Sequence, residues 1–292
     1  MSKLFIKIWD VQHGSAAYIN TPSGKHIVID LGIGDVSGND TIPGNVFSPL
    51  LHLKRHYGVN QLDEVIITHP HKDHIDDIFN FDKLEPKVLR RPTHISEEDV
   101  RKGNKPGDSA FIDKYFEINN RYSRTLDVTE DPEYKNNNGG VIIRVFQPTN
   151  CASTNLNNQS TVVFLNFAGS TICIPGDNEG ASWTELLKND DFITWLKNTD
   201  ILVASHHGRE SGYCEEMMQY CLELKLVIIS DGPQGNTCVA DKYGNKAKGW
   251  LVHSLSGAES KTRYCLTTRT DGAMEIECYS DDDKNYLIVN KE

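Results

Sequence analysis

Three histidines and three aspartates fall within ten residues of this chain, in the stretch T-H-P-H-K-D-H-I-D-D from Thr68 to Asp77. His69 and His71 are one residue apart, so on an extended strand end their rings face the same way. Asp73 and His74 follow in a turn and face a second point close by. Imidazole together with carboxylate is a donor set for zinc, manganese or iron. The pattern H-x-H-x-D-H is specific, and the segment reads as a metal-binding loop. Asp76 and Asp77 read instead as the first turn of a following helix, where negative charge is favoured.

Four ligands do not complete two metal sites, so other segments must contribute. Three share one context, an apolar strand followed at once by polar residues. Asp30 ends H-I-V-I-D-L-G, Asp177 follows T-I-C-I-P-G-D, and His206 and His207 follow I-L-V-A-S. Strand ends are rigid and converge at one rim of a sheet, which is where a metal site needs its ligands. On type and position alone, Asp30 reads equally well as a ligand or as a residue that orients one. Asp177, in P-G-D-N-E, reads as a ligand or a turn former.

The elements needed to position these residues are legible. Lys3–Trp9, Ala16–Ile19 and His26–Asp30 read as strands, the last two joined by T-P-S-G-K. Val46–Tyr57 has helical spacing and stops at Gly58. Glu64–Ile67 is a short buried strand that delivers the metal loop, His74–Phe81 starts a helix, and Lys87–Leu89 is another strand. Arg90 to Gly140 is polar, apart from a helix near Phe111–Ile118. It is expected to be a surface insertion, either a lid or a solvated excursion. Beyond it, Val141–Phe146, Thr161–Phe167, Thr171–Ile174, Ile201–Ala204 and Leu226–Ser230 read as strands. Ser182 to Glu185, S-W-T-E, reads as a capping box opening a helix, and Glu215–Leu224 as a further helix. Arg263–Thr268 and Ala273–Cys278 read as a hairpin across T-D-G. With no repeat or linker, the expectation is one domain over residues 1–292, with two sheets and outer helices.

Bulk properties exclude several classes. The 292 residues are 38% hydrophobic and 24% charged, as in a globular chain. No apolar run reaches the roughly 20 residues of a membrane helix, and the N-terminus reads as a strand, so the expected compartment is the cytoplasm. The seven cysteines are odd in number and include no C-x-x-C, which argues against disulfides and a zinc ribbon. A net charge of −11 argues against holding duplex nucleic acid by charge alone. It leaves a small anionic or single-stranded substrate.

Taken together, the motifs resemble the metallo-β-lactamase superfamily. Asp30, H69-x-H71-x-D73-H74, G176-D177 and S205-H-H-G follow its order. The finer pattern is similar to the metallo-β-lactamase-like domain of the bacterial DNA-uptake channel protein ComEC and its stand-alone relatives. D10-V-Q-H-G-S-A, N158-Q-S-T-V-V-F-L, S205-H-H-G-R-E-S and T267-T-R-T-D-G carry that likeness, from about Trp9 to Cys278.

The resemblance implies an α/β (α+β) fold, a four-layer αβ/βα sandwich with two divalent ions, Zn or Mn, at one edge. It implies His69 and His71 on the first metal and Asp73 and His74 on the second. Asp177 would bridge them, and Asp30 would orient a ligand. His206 would complete the second site, with His207 as the competing ligand or a substrate contact. Asp73, Asp177 and His207 are the expected catalytic residues. His207, Arg209 and Ser211 stand where they could meet a phosphate. Many superfamily members have a further histidine between the H-x-H-x-D-H and G-D motifs. Here only His94 lies in that interval, and Asn158 or Ser160 could occupy the neighbourhood. The relatives' late H-P motif is missing, with Asp241 as a candidate replacement. His13 stands where those relatives carry Gln, and either approaches the site or serves the structure.

A metal lowers the pKa of its water from 15.7 to about 7, and two metals clamp attacking and leaving oxygens. That suits a phosphodiester, the favoured reading, and equally a lactone or thioester carbonyl. The third reading is a metal-binding partner protein without turnover.

Overall fold

The computed structural model describes residues 2–34, 41–42, 46–232 and 238–292. Its first half runs β1 (Lys3–Ile8), β2 (Ala17–Asn20), β3 (His26–Ile29), β4 (Thr41–Ile42), β5 (Val46–Phe47), α1 (Pro49–His56), β6 (Glu64–Ile66), α2 (Lys72–Ile75), β7 (Val88–Arg90), α3 (Glu97–Gly103) and α4 (Ser109–Arg121). Then follow β8 (Ile142–Phe146), β9 (Val162–Phe167), β10 (Ser170–Ile174), α5 (Gly180–Leu186), α6 (Asp190–Lys197), β11 (Ile201–Val203), α7 (Glu215–Tyr220), β12 (Leu226–Ile229) and α8 (Ala240–Gly244). The chain ends with β13 (Trp250–Ser254), β14 (Ser260–Arg263), β15 (Cys265–Thr267), α9 (Thr268–Asp271), β16 (Met274–Asp281) and β17 (Lys284–Lys291).

Two large mixed sheets result. One has the order β14-β13-β17-β16-β1-β2-β3-β6-β7, the other β15-β12-β11-β10-β9-β8. Alternation along the strands decides the layers. Ile27 and Ile29 of β3 and Ile66 of β6 face Val163, Ile172, Ile201 and Ile228 across the gap between sheets. Val28 and Val65 point the other way, onto Leu50 and Leu53 of α1 and Ile112, Tyr115 and Ile118 of α4. Behind the second sheet, Phe164, Leu202 and Val227 meet Trp183, Phe192 and Leu196 of α5 and α6. Helix, sheet, sheet and helix make the α/β sandwich expected. Each fully buried Ile or Leu contributes about 1.5–3 kcal/mol. No helix among the described residues is long and apolar enough to cross a membrane.

Three local readings change. Cys265–Thr267 and Met274–Asp281 do not form a hairpin. β15 runs parallel to β12 in the second sheet, while β16 pairs with β1 in the first. The chain crosses between sheets through α9, held by the Arg263–Asp271 ion pair at 2.9 Å. The helix at S-W-T-E begins earlier: Glu179 is its N-cap, and Ser182 is the third residue, its Oγ accepting from Glu179 N at 3.0 Å. Residues 90–140 carry two helices, and Ile112, Tyr115 and Ile118 of α4 are buried in the outer core.

Candidate metal centre

The loops after β3, β6, β10 and β11 meet at one rim of the sandwich. Asp30, in left-handed backbone with φ 58°, turns its carboxylate back into the protein. One oxygen accepts from Thr68 N at 2.7 Å. The other accepts from Thr68 Oγ1 at 2.8 Å and lies 2.8 Å from His74 Nδ1. All three residues are fully buried. The metal loop is packed backbone to backbone: a Cβ on Gly14 would lie 2.7 Å from the Asp73 carbonyl oxygen. Gly176 has φ 61°, and a Cβ there would press on Thr68 and Ser160 at 2.8–2.9 Å.

Asp177 is the hub. Its Oδ1 lies 3.2 Å from His74 Nε2, and its Oδ2 lies 3.4 Å from His207 Nε2 and 3.9 Å from both His69 Nε2 and His206 Nε2. Its backbone N–H donates to Ser160 Oγ at 3.1 Å. Asp73 Oδ2 lies 3.3 Å from His207 Nε2. On the other flank, His69 Nε2 and His71 Nδ1 are 2.9 Å apart and converge. One donor atom each from Asp73, His74, Asp177 and His207 lies within 4.8 Å of the others.

Of the pair, His207 stands nearer the cluster: its Nε2 lies 3.4 Å from Asp177 Oδ2, against 3.9 Å for His206 Nε2. Both residues are left-handed, with φ 49° and 54°, so the two rings diverge. His207 Nδ1 faces the Ser230 carbonyl at 3.1 Å, which turns Nε2 inward. His206 Nδ1 turns to Ser211 Oγ at 2.8 Å and Glu179 Oε1 at 3.0 Å. Asp241 is exposed on α8 and lines a separate cavity with Arg263 and Asp271, away from the cluster. Of the stretch around it, residues 233–237 lie outside the described residues. His94 faces Gln159 Oε1 at 2.6 Å and does not supply a further ligand. Asn158 serves the fold: its Oδ1 accepts from Glu179 N and Ser182 N, both at 3.2 Å.

His13 does approach the centre. Its Nε2 is 3.4 Å from Asp73 Oδ2 and 3.2 Å from Arg209 Nη2, and its ring lies 4.8 Å from that of His207. Residues 90–140 also reach the site. The Gly103 backbone hydrogen-bonds the His71 ring. Asn104 Nδ2 donates to the Pro70 carbonyl at 2.9 Å. A cavity of about 510 Å³ opens over His71, Asp73, Asp177 and His206, with His13, Lys105 and Arg209 on its walls.

The electrostatics are those of a charged nest. Burial works against ionising Asp177, but His207 and His74 hold its carboxyl well below the usual range. Asp73 is depressed too, against burial, by His207 and His74. Burial pulls His74 down, yet Asp177 and Asp30 raise it well above the ordinary value. Against the same burial, Asp177 and Asp73 raise His207 to about 10. Burial, with His74 and His71 beside it, keeps His69 well below.

The family model of the metallo-beta-lactamase superfamily matches residues 9–206. The chain belongs to this superfamily. It is 24% identical over 238 residues to ComE operon protein 3 of Bacillus subtilis (strain 168), covering 76% of this chain and 28% of that protein. The chain thus spans less than a third of that relative's length. The crystal structure of the metallo-β-lactamase fold protein YhfI from Bacillus subtilis covers 94% of this chain and 99% of that one, at a TM-score of 0.44 and 13% identity.

The donors fit the metals of this superfamily. His74 Nε2 and His207 Nε2 are buried without a hydrogen-bond partner, and both aim at the Asp177 carboxylate. Their Nδ1 atoms are committed to Asp30 and to the Ser230 carbonyl, the arrangement that orients a ligating histidine. Nitrogen and oxygen donors of this kind take borderline divalent ions. A superfamily fold with such a cluster is that of a metal-dependent hydrolase.

Proposed function

We propose that the chain is a metal-dependent phosphodiesterase with a dinuclear centre, acting on a small anionic or single-stranded nucleic-acid substrate. His69, His71 and Asp177 would hold one ion, and Asp73, His74, Asp177 and His207 the other. When bound, such ions supply an activated water, with its pKa lowered to about 7, and Lewis acidity at the substrate oxygens.

The observation that carries phosphodiester over carbonyl chemistry is Arg209. Its guanidinium lines the same cavity as Asp73 and Asp177 and reaches His13 at 3.2 Å. A planar cation beside the cluster suits a phosphate oxygen. Arg209 would bind and orient that phosphate. His13, between Arg209 and Asp73, has its pKa pulled down by burial and by His207, so its Nε2 accepts from Arg209 Nη2 and orients the guanidinium. His206, tied to Glu179 and Ser211, walls the cavity.

The test is a panel with manganese and with zinc: bis(p-nitrophenyl) phosphate, a short oligonucleotide, cyclic nucleotides, a lactone and a thioester. Phosphodiester cleavage is expected. Arg209→Ala should lower it by about 10²–10³ with metal content unchanged. Cleavage of a lactone or thioester with no phosphodiester turnover would overturn the reading.

A further inference from the structure

β7 is one edge strand of the nine-stranded sheet, whose other edge is β14, and β8 one edge strand of the six-stranded sheet, whose other edge is β15. Between β7 and β8, under the segment after α4, lies a cavity of about 490 Å³. In a chain of net charge −11, its walls carry five cations: Lys87, Arg90, Arg91, Arg121 and Arg124. No carboxylate among the described residues lines it. The acids that pair with these cations stand outside the lining. Lys87 meets Asp63 at 3.0 Å, Arg121 meets Asp82 at 2.6 Å and Arg124 meets Glu130 at 2.9 Å, while Arg90 meets Glu133, Glu64 at 3.4 Å and Asp131 at 4.0 Å. The hydrogen bonds of Arg91 go to neutral oxygens, the carbonyls of Leu89, Asn119 and Tyr122 and the Asn119 side chain. Gln147 adds an amide nitrogen that is buried and has no hydrogen-bond partner. The cavity therefore presents hydrogen-bond donors to whatever enters it, among them the Gln147 amide and the guanidinium of Arg91, whose hydrogen bonds go to neutral oxygens.

It also adjoins the metal loop. Ile67 N donates to the Arg90 carbonyl at 2.8 Å, and Thr161, which lines the cavity, donates its N–H to the Thr68 carbonyl at 3.0 Å. Both contacts are backbone to backbone, so the cavity wall continues directly into the strand end that carries His69.

We infer that this inter-edge cavity is an anion site that takes the phosphate backbone of a single-stranded nucleic acid whose other phosphate lies at the metal centre. The strand's identity rests on the phosphodiesterase reading; the anion chemistry does not. Phosphates are recognised by arginine forks and amide donors, and the term is steeply salt-dependent.

The test uses the full metal-loaded chain and fluorescence anisotropy of a labelled phosphorothioate oligothymidylate. Lys87→Gln with Arg124→Gln removes two exposed cations, and Asp63 keeps Lys25 at 3.0 Å. Binding should weaken at least about tenfold, and the salt slope should fall by about 1.4. Gln147→Glu, which puts a carboxylate in the cavity, should weaken binding as well. Lys87→Arg with Arg124→Lys should restore it. Cleavage of bis(p-nitrophenyl) phosphate reports separately on the metal centre and should be unchanged in every variant. Weakened binding supports the cavity site even if that ester is not cleaved. Wild-type affinity and salt slope in both Gln147→Glu and the double Gln variant would overturn the inference. Binding of pyrophosphate in the cavity with no oligonucleotide binding would also overturn it, by making the site one for a free phosphate ligand.

Discussion

The carboxylate of Asp30 stands 2.8 Å from Nδ1 of His74, a residue 44 positions away in the chain. This contact decides which imidazole nitrogen faces Asp177. The same carboxylate holds both the backbone N–H and the hydroxyl of Thr68, so it ties the end of β3 to the start of the metal loop.

Replacing Asp30 therefore has two effects. Asp30→Ala leaves three buried donor groups without their acceptor, a loss on the order of 3–5 kcal/mol. It also frees the His74 ring, which should weaken divalent metal binding by about 10–100-fold. Urea denaturation reads the first and chelator competition the second. Unchanged metal affinity in a folded variant would show that His74 needs no such support.

The two adjacent histidines separate cleanly. His207→Ala removes a donor at the heart of the cluster and should abolish one metal equivalent per chain. His206→Ala should keep metal content near wild type, since that ring is held by Ser211 and Glu179. Elemental analysis after reconstitution checks this, and the opposite ranking would reverse the assignment of the pair.

Metal uptake should be coupled to protons. In the metal-free protein His74 and His207 are held protonated at neutral pH, His207 with a pKa raised to about 10. A ligating imidazole must be neutral, so binding expels protons and affinity rises with pH. The same linkage acts on stability. The contribution of charged His207 is complete below its ordinary value of 6.5 and is lost as pH rises through about 10. Titration calorimetry in buffers of different ionisation enthalpy measures the released protons. Affinity that stays flat from about pH 6 to 9 contradicts this coupling.

Asp77 affects stability without touching the metals. It accepts from Ser48 Oγ at 2.7 Å and from Leu50 N at 2.9 Å, so it anchors the first turn of α1 from 27 residues away. Asp77→Ala should cost about 2–4 kcal/mol in chemical denaturation while metal stoichiometry holds. Loss of metal in a variant that remains folded would place Asp77 in the centre itself.

The parts of the site that the sequence made legible are those carried by strand ends. Asp30, His69, His71, Asp73, His74 and Asp177 each follow a short apolar run, and the sandwich brings those ends together. What was not legible depends on backbone turns or on distant partners. His206 and His207 are the same residue type side by side, and only their left-handed φ values decide which ring faces inward. Glu179, which meets His206, and the Gly103 backbone, which meets His71, carry no local signal. Asp241 looked placed by its position in the chain, but α8 carries it outward. The expected hairpin at T-D-G failed for a related reason: alternation marks a strand but does not say which of two sheets will pair with it.

Asp73 and His74 hang from the nine-stranded sheet, and Asp177 and His207 from the six-stranded one. An ion gripped by both would act as a rivet between the two halves of the sandwich. In the chain-entropy picture, a cross-link closing a loop of about 100 residues, roughly the span from His74 to Asp177, removes on the order of 4–5 kcal/mol of freedom from the unfolded chain. The ion would then set mechanical unity as well as chemistry: with it in place neither sheet can peel away alone, and a chelator would loosen the sandwich along the seam between the sheets.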